Sequence, residues 1–241
     1  MNLLRFDSGP AWVNGACAFW TDRLRANPRL RICLPTGVTP APVYAEMVRR
    51  VGAGLVSFEK ATIFALDEFG GLPAQNPGLT RNTLVRQLIA GIDLPASAFF
   101  SLDVDANNVE RTCERYDAAI GRGFDLVLLG IGLNGHLGMN EPGMPTESRT
   151  RRVELHESTI QASTRYFPDL APRDLPRWGV TVGLKSILAS NEVWVLATGS
   201  AKAPIVRKTF AGEVTPDVPA SLLQQHRNCS LFVDADAGAL L

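Results

Sequence analysis

Four short segments of this 241-residue chain combine glycine, hydroxyl, acidic and basic residues directly after apolar stretches. They are residues 35–40, 66–70, 130–142 and 198–202. In α/β folds, ligands bind at the carboxyl ends of the strands, where the connections diverge. We therefore expect these four segments to carry the chemistry of the protein.

The first candidate is a pair of adjacent carboxylates, Asp67 and Glu68. Neighbouring strand residues point to opposite faces, so only one of the two can enter a given cleft. A carboxylate that loses part of its hydration becomes more basic and can act as a general base. The alternative is that both acids accept backbone hydrogen bonds in a loop.

The glycine-rich segment 130–142 offers a histidine for proton transfer. Gly130, Gly132 and Gly135 match a GxGxxG pattern, but residues 136–142 do not open an amphipathic helix, so we reject a dinucleotide site. The segment then presents three polar side chains in a glycine loop: Asn134, His136 and Glu141. Histidine is the side chain best suited to proton transfer near neutral pH, and a nearby carboxylate could orient it.

Groups suited to an anion occur in three places. The turn at residues 35–40 contributes Thr36, Gly37 and Thr39, with Thr39 predicted to cap the next helix and Pro40 at its first position. Backbone N–H groups at such a helix start bind phosphate. Lys202 and Arg165 add positive charge, although each could simply be solvated.

Metal chemistry and cysteine chemistry are not indicated. His156 and His226 lack close partner ligands, so no metal site is predicted. Four widely separated cysteines predict buried, reduced thiols and a cytoplasmic setting, at positions 17, 33, 113 and 229.

The elements that must position these groups alternate along the chain. Short apolar runs predict strands at residues 30–34, 61–66, 99–102, 125–130, 178–182, 193–198 and 229–234. Apolar residues at helical spacing separate them, for example at residues 43–51 and 109–120. This pattern predicts an α/β fold: a doubly wound, mostly parallel, Rossmann-like sheet with helices on both faces, in a single domain over residues 1–241.

Composition excludes several classes of function. Lys plus Arg and Asp plus Glu both number 24, so the chain lacks the basic field that a nucleic-acid-wrapping protein needs. No apolar run approaches the 18 to 20 or so residues of a membrane span. The expected partner is a small phosphorylated molecule, and a homo-oligomer is left open.

Taken together and in order, the four segments resemble the glucosamine-6-phosphate deaminase/isomerase family, including its galactosamine-6-phosphate isomerase branch. The resemblance implies a cofactor-independent conversion of an amino-sugar 6-phosphate to the ketose 6-phosphate and ammonia. It implies that Asp67 moves a proton from C2 to C1, that His136 assists ring opening and that Glu141 orients His136. Asn134 stands where many members have Asp. The implied phosphate ligands are Thr36, Gly37, Thr39, Arg165 and Lys202.

Two further functions stay open at this point. The related 6-phosphogluconolactonases have a loop resembling Asp-Gly-His-Thr-Ala-Ser-Leu-Phe-Pro, whereas this chain continues from His136 to Glu141 and Pro142. A non-catalytic sugar-phosphate sensor would share the fold. The presence of Asp67, His136 and Glu141 together favours the deaminase over both.

Overall fold

The computed structural model describes residues 1–104 and 108–241. Its main sheet contains seven parallel strands. Six of them match predicted strands, whereas the edge strand at residues 2–6 was not predicted. In spatial order the seven strands are β1 (Asn2–Phe6), β10 (Cys229–Asp234), β9 (Glu192–Ala197), β6 (Leu126–Gly130), β2 (Arg31–Leu34), β3 (Thr62–Ala65) and β5 (Phe99–Phe100).

Seven α-helices accompany these strands in the described ranges. They are α1 (Gly9–Ala26), α2 (Ala41–Gly52), α3 (Thr80–Gln87), α4 (Val109–Ile120), α5 (Glu157–Ser163), α6 (Leu184–Leu188) and α7 (Ala203–Ala211). Short 3₁₀ turns cover Ile89–Gly91, Ala96–Ala98, Pro172–Asp174, Ser200–Lys202 and Pro219–Gln225. In the part of the chain that is described, each helix is too short or too polar to cross a membrane.

Both faces of the main sheet are apolar and covered. Leu126 and Leu128 pack into the core on the side of α1 and α2, whereas Val127 and Leu129 pack into the core on the side of α4 and α7. Successive strand residues alternate between faces, so a strand covered on both sides needs apolar residues at every position. This explains the unbroken run Leu-Val-Leu-Leu in β6. The doubly wound prediction is confirmed.

A second, three-stranded antiparallel sheet was missed by the sequence analysis. It consists of β4 (Asp67–Phe69), β8 (Trp178–Thr181) and β7 (Arg151–Glu154). Residues 178–182 were predicted as a strand of the main sheet, and this assignment is wrong. The sequence pattern of a short apolar strand does not indicate which sheet it joins, because long-range contacts decide which strands pair.

The strand order creates a crevice at one defined place. From β2 the chain moves outward to β3 and β5, and from β6 it moves to β9 and β10 on the other side. Ligand sites of open α/β sheets lie at such a switch in direction, outside the carboxyl ends of the two strands. Segment 35–40 follows β2 and segment 130–142 follows β6, so the two face each other across this crevice.

Candidate active site

A cleft at this switch point gathers eight of the nine predicted site residues. Its walls include Thr36, Gly37, Thr39, Asp67, Asn134, His136, Arg165 and Lys202. Glu141, the ninth, is buried behind the wall and contacts the polar residues of the glycine loop. The sequence-predicted residues are therefore brought together.

Asp67 lies at the buried end of the cleft. The main chain leaves the parallel sheet at Leu66 and enters the small sheet at Asp67, which pairs with Thr181. The Asp67 side chain accepts a hydrogen bond of 3.2 Å from Thr80 Oγ1. Burial raises the pKa of Asp67 to about 6, although the Thr80 bond and the charge of His136 act in the opposite direction. A carboxylate with this pKa is a stronger base than free aspartate and is still mostly ionised at pH 7.

Glu68 points away from the cleft, as the alternation of strand residues predicts. Its two carboxylate oxygens accept backbone N–H bonds of 2.8–2.9 Å from Phe69, Thr80 and Arg81. Helix α3 lacks a side-chain cap at Leu79, and the Glu68 carboxylate supplies that cap from outside the helix. Glu68 thus holds the start of α3, which carries the Thr80 hydroxyl that contacts Asp67.

The glycine loop makes room for the His136 ring. A Cβ atom on Gly132 would lie 2.4 Å from two atoms of that ring, which is inside van der Waals contact. Gly135 and Gly138 have φ angles of +87° and +61°, which side-chain-bearing residues rarely adopt. The GxGxxG pattern therefore serves the packing and turning of this loop, in agreement with the rejection of a dinucleotide site.

Glu141 is the anchor of His136. Its Oε2 lies 3.5 Å from His136 Nδ1 and accepts a 2.8 Å hydrogen bond from Asn134 Nδ2, while its Oε1 accepts a 2.5 Å bond from Thr159 Oγ1. Burial alone would raise the pKa of Glu141, but the interactions with His136, Thr159 and Asn134 lower it to about 2. The carboxylate beside Nδ1 orients the imidazole, so that Nε2 is the ring nitrogen left for the cleft.

Asn134 connects the two ends of the loop. Besides its bond to Glu141, its Oδ1 accepts the backbone N–H of His136 at 3.1 Å. An aspartate could accept this second bond but could not donate the first one. The amide therefore contributes orientation, with no added charge.

Two cationic side chains line the same cleft. Lys202 Nζ donates to the carbonyl oxygen of Ile131 at 2.5 Å, and Arg165 Nε donates to the carbonyl oxygen of Ala162 at 2.8 Å. Burial and the charge of Arg165 lower the pKa of Lys202, which indicates two cations held near each other in a partly dry site. Such an arrangement suits a dianionic group such as a phosphate.

The turn after β2 also lines the cleft, and one prediction about it is wrong. Gly37 has a φ angle of +136°, and Thr36 and Thr39 line the cleft beside it. Thr39 was predicted to cap α2, but Pro40 is the N-cap residue, the helix begins at Ala41, and its start has no side-chain cap bond. Thr39 therefore lies one position before the N-cap, too early in the chain to cap α2.

The remaining chemistry-bearing residues are structural. In the two described ranges, no cluster of three or more His, Cys, Asp or Glu side chains has the arrangement of a metal site. His156 Nδ1 caps α5 through Ser158, and His226 Nε2 lies 3.0 Å from the carbonyl oxygen of Ser190. All four cysteines are buried and free.

Three residues of the site escaped the sequence analysis. They are Thr80, Thr159 and Tyr166, the last of which lines the cleft with its hydroxyl near Gly37. Threonine and tyrosine are common in helices and loops, so their identity alone carries no signal. Thr80 lies twelve positions after Glu68 and Thr159 eighteen after Glu141, so their spacing gives no local signal either.

Comparison with known proteins shows which family this chain resembles in sequence and in fold. A family model described as glucosamine-6-phosphate isomerases/6-phosphogluconolactonase matches residues 11–232. A glucosamine-6-phosphate deaminase of Rhodopirellula baltica is 39% identical over 237 residues, which are 98% of this chain and 92% of the relative. The structure of a monomeric glucosamine-6-phosphate deaminase superposes with a TM-score of 0.95 at 32% identity, with 100% of both chains covered.

A 6-phosphogluconolactonase from Trypanosoma brucei shares the fold, with a TM-score of 0.79 at 22% identity over 100% of this chain and 98% of that chain. At that identity the likeness concerns the fold alone. The match of the family model over most of the chain, together with relatives near 40% identity, decides the assignment. This chain belongs to the family of glucosamine-6-phosphate isomerases and 6-phosphogluconolactonases.

Proposed function

We propose that this protein converts glucosamine 6-phosphate and water to fructose 6-phosphate and ammonia. One observation carries the proposal: a buried carboxylate and a histidine beside a glutamate share one cleft with two cationic side chains, Arg165 and Lys202. The relatives named as glucosamine-6-phosphate deaminases support the same substrate.

The first step is opening of the sugar ring. A cyclic hexosamine has no acidic C–H bond, so a proton must first be passed between the anomeric hydroxyl and the ring oxygen. His136 serves this step through Nε2, because Nδ1 is directed at Glu141. Glu141 holds the imidazole in the orientation that this proton transfer requires.

The second step is proton transfer between carbons. The open aldehyde acidifies the C2–H bond, and the Asp67 carboxylate removes that proton. The carbonyl oxygen O1 takes up the proton that the C2 ammonium group releases, which gives an enolamine. Asp67 then returns a proton to C1, which leaves an imine at C2. Water adds to this imine and ammonia departs, giving the ketose. Backbone N–H groups of the glycine loop are suited to stabilise the developing oxyanion.

Phosphate binding supplies the orientation that both steps need. Lys202, Arg165 and the 36–39 turn hold the 6-phosphate at one end of the cleft, so that C1 and C2 extend toward Asp67. Binding energy from this remote group is used to position the reacting carbons. The sugar's C4 configuration is a separate matter, and we propose glucosamine over galactosamine because the relatives carry that name.

Lactone hydrolysis is the alternative. The lactonase-type loop has an apolar residue where this chain has Glu141, and here Glu141 is bonded to Asn134 and Thr159 and faces His136. Lactone hydrolysis also needs proton transfer, from the attacking water and to the ring oxygen, so His136 alone does not distinguish the two reactions. The bonded Glu141, at a position where the lactonase-type loop is apolar, favours the deaminase.

The test is incubation with glucosamine 6-phosphate, galactosamine 6-phosphate and 6-phosphogluconolactone in separate assays. We expect ammonia from the first substrate, at a higher kcat/KM than from the second, and no hydrolysis of the third above its spontaneous rate. In D₂O, the fructose 6-phosphate should carry deuterium at C1. Lactone hydrolysis without ammonia release would overturn the proposal.

We also propose that one copy of the chain suffices for catalysis, because the structure that superposes on it at 32% identity is that of a monomeric glucosamine-6-phosphate deaminase. The specific activity should then stay constant as the protein is diluted across the range in which any homo-oligomer dissociates. A loss of specific activity on dilution would show that the site needs a second copy.

A further inference from the structure

The strongest unassigned contact near the cleft joins α5 to the catalytic loop. Thr159 Oγ1 donates a 2.5 Å hydrogen bond to Glu141 Oε1, across eighteen positions of sequence. The acceptor is a buried carboxylate, and hydrogen bonds to ionised groups are roughly twice as strong as those between neutral groups. This bond therefore restrains the Glu141 side chain firmly.

The division of the carboxylate oxygens shows what the restraint achieves. Thr159 occupies Oε1, so Oε2 is the oxygen directed at Asn134 Nδ2 and His136 Nδ1. If the Glu141 carboxylate rotated, its Oε1 would lose the bond to Thr159, and its Oε2 would at the same time move away from the His136 imidazole. The hydroxyl of Thr159 thus sets the orientation from which Glu141 meets the histidine.

Thr159 also belongs to the segment that carries the phosphate ligand Arg165. After α5, Tyr166 N and Phe167 N both donate to the carbonyl oxygen of Ser163, and Arg165 Nε donates to that of Ala162. Residues 157–167 therefore form one continuous hydrogen-bonded unit. Ile160 and Phe167 of this unit pack in the same apolar cluster as Met139.

We propose that Thr159 is a positioning residue that fixes Glu141, and through it His136, relative to the phosphate-binding segment. The proposal rests on the proposed function, because it concerns the same cleft. It assigns the Thr159 hydroxyl to the reaction step served by His136, with substrate affinity left to Arg165 and Lys202.

The kinetic test is Thr159→Val, which keeps the side-chain shape and removes the donor. We expect kcat for glucosamine 6-phosphate to fall tenfold to a hundredfold, while KM changes less than about threefold. Thr159→Ser should recover kcat to within about threefold of the original protein. Thr164→Val is the matched control, because its hydroxyl bonds only locally to the Gln161 carbonyl oxygen and should leave kcat unchanged.

A double-mutant cycle separates this role from general damage. In an E141A background, T159V should lower kcat by less than about twofold, because its partner is already absent. An equal loss in both backgrounds, a serine variant no better than valine, or a rise in KM that accounts for the whole effect would overturn the proposal.

A readout without substrate keeps the proposal separate from the proposed function. The chain has three histidines, so the imidazole C–H signals are few enough to assign by NMR. T159V should shift the His136 signal and leave that of His226 in place, whereas T159S should shift neither. If the original protein releases no ammonia, the proposed function fails; an unmoved His136 signal in T159V would overturn the positioning role on its own.

Discussion

The hydroxyl of Thr80 donates to Oδ1 of Asp67 at 3.2 Å, and this contact connects the first turn of α3 to the proposed base. The start of α3 is in turn held by Glu68, whose carboxylate accepts the N–H groups of Thr80 and Arg81. The two adjacent acids therefore divide their work. Asp67 faces the cleft, and Glu68 fixes the start of the helix whose Thr80 hydroxyl contacts Asp67.

Removing the Thr80 hydroxyl should change the pH dependence of the reaction. The bond stabilises ionised Asp67, so Thr80→Val should raise the pKa of Asp67 above about 6. A base works in its ionised form, so activity is lost as the pH falls through that pKa, and the acidic midpoint of kcat/KM should move to higher pH in the variant. The substrate phosphate titrates in the same range but contributes equally to both proteins. An acidic limb that coincides with that of the original protein would contradict this reading, and Thr80→Ser should behave like the original.

Asp67→Asn should abolish proton abstraction while keeping the side-chain shape. We expect kcat to fall by a factor of about 10² or more, because the amide cannot accept the C2 proton. Binding of inorganic phosphate, measured by calorimetry, should stay within about twofold because the two cationic side chains of the cleft are untouched. Turnover close to that of the original protein would remove Asp67 from the mechanism.

The same substitution should stabilise the fold at neutral pH. Burial raises the pKa of Asp67 in the folded state from 3.8 to about 6. The free energy of unfolding of the original protein therefore falls as the pH rises from about 3.8 to about 6, and it stays at the lower value at higher pH. Replacing the buried charge by a neutral amide removes a penalty of about 3 kcal/mol. Urea unfolding at pH 7.5 should show the gain in Asp67→Asn, and the gain should largely disappear near pH 4. A variant that is less stable than the original at pH 7.5 would show that the buried charge is not the dominant cost.

Lys202→Ala should weaken substrate binding more than it slows the chemistry. We expect KM for glucosamine 6-phosphate to rise about tenfold or more, since a desolvated cation facing a phosphate contributes a charge-assisted bond. Lys208→Ala is the matched control, because Lys208 is an exposed residue near the end of α7. Steady-state kinetics at two salt concentrations should show a weaker salt dependence of KM in Lys202→Ala. Equal KM values for the two variants would contradict the assignment.

Gly132→Ala should disable the His136 step through sterics alone. The new methyl carbon would lie 2.4 Å from two atoms of the His136 ring, which is inside van der Waals contact, so the ring must move from its place beside Glu141. We expect kcat to drop at least about tenfold. The imidazole C–H signal of His136 should also move from the NMR position that it has in the original protein. Gly52→Ala introduces the same methyl group at the end of α2, where it meets no atom within 4 Å, and should leave kcat unchanged.

The sequence by itself determined the doubly wound main sheet and the candidate reacting groups. The run Leu126 to Leu129 indicated a strand buried on both faces, and Asp67, His136 and Glu141 stood out because each follows an apolar strand in a polar or glycine-rich segment. These signals are local: strand alternation, glycine turns and side-chain chemistry are all visible within ten or so residues.

Only the tertiary structure decided how these groups are held. The separate antiparallel sheet that carries Asp67, the missing Thr39 cap, and the contacts of Thr80 with Asp67 and Thr159 with Glu141 depend on which distant segments pack together. The raised pKa of Asp67 and the lowered pKa of Glu141 likewise arise from burial and from partners elsewhere in the chain. Register and loop orientation are set by the sum of many long-range contacts, so no short stretch of sequence encodes them.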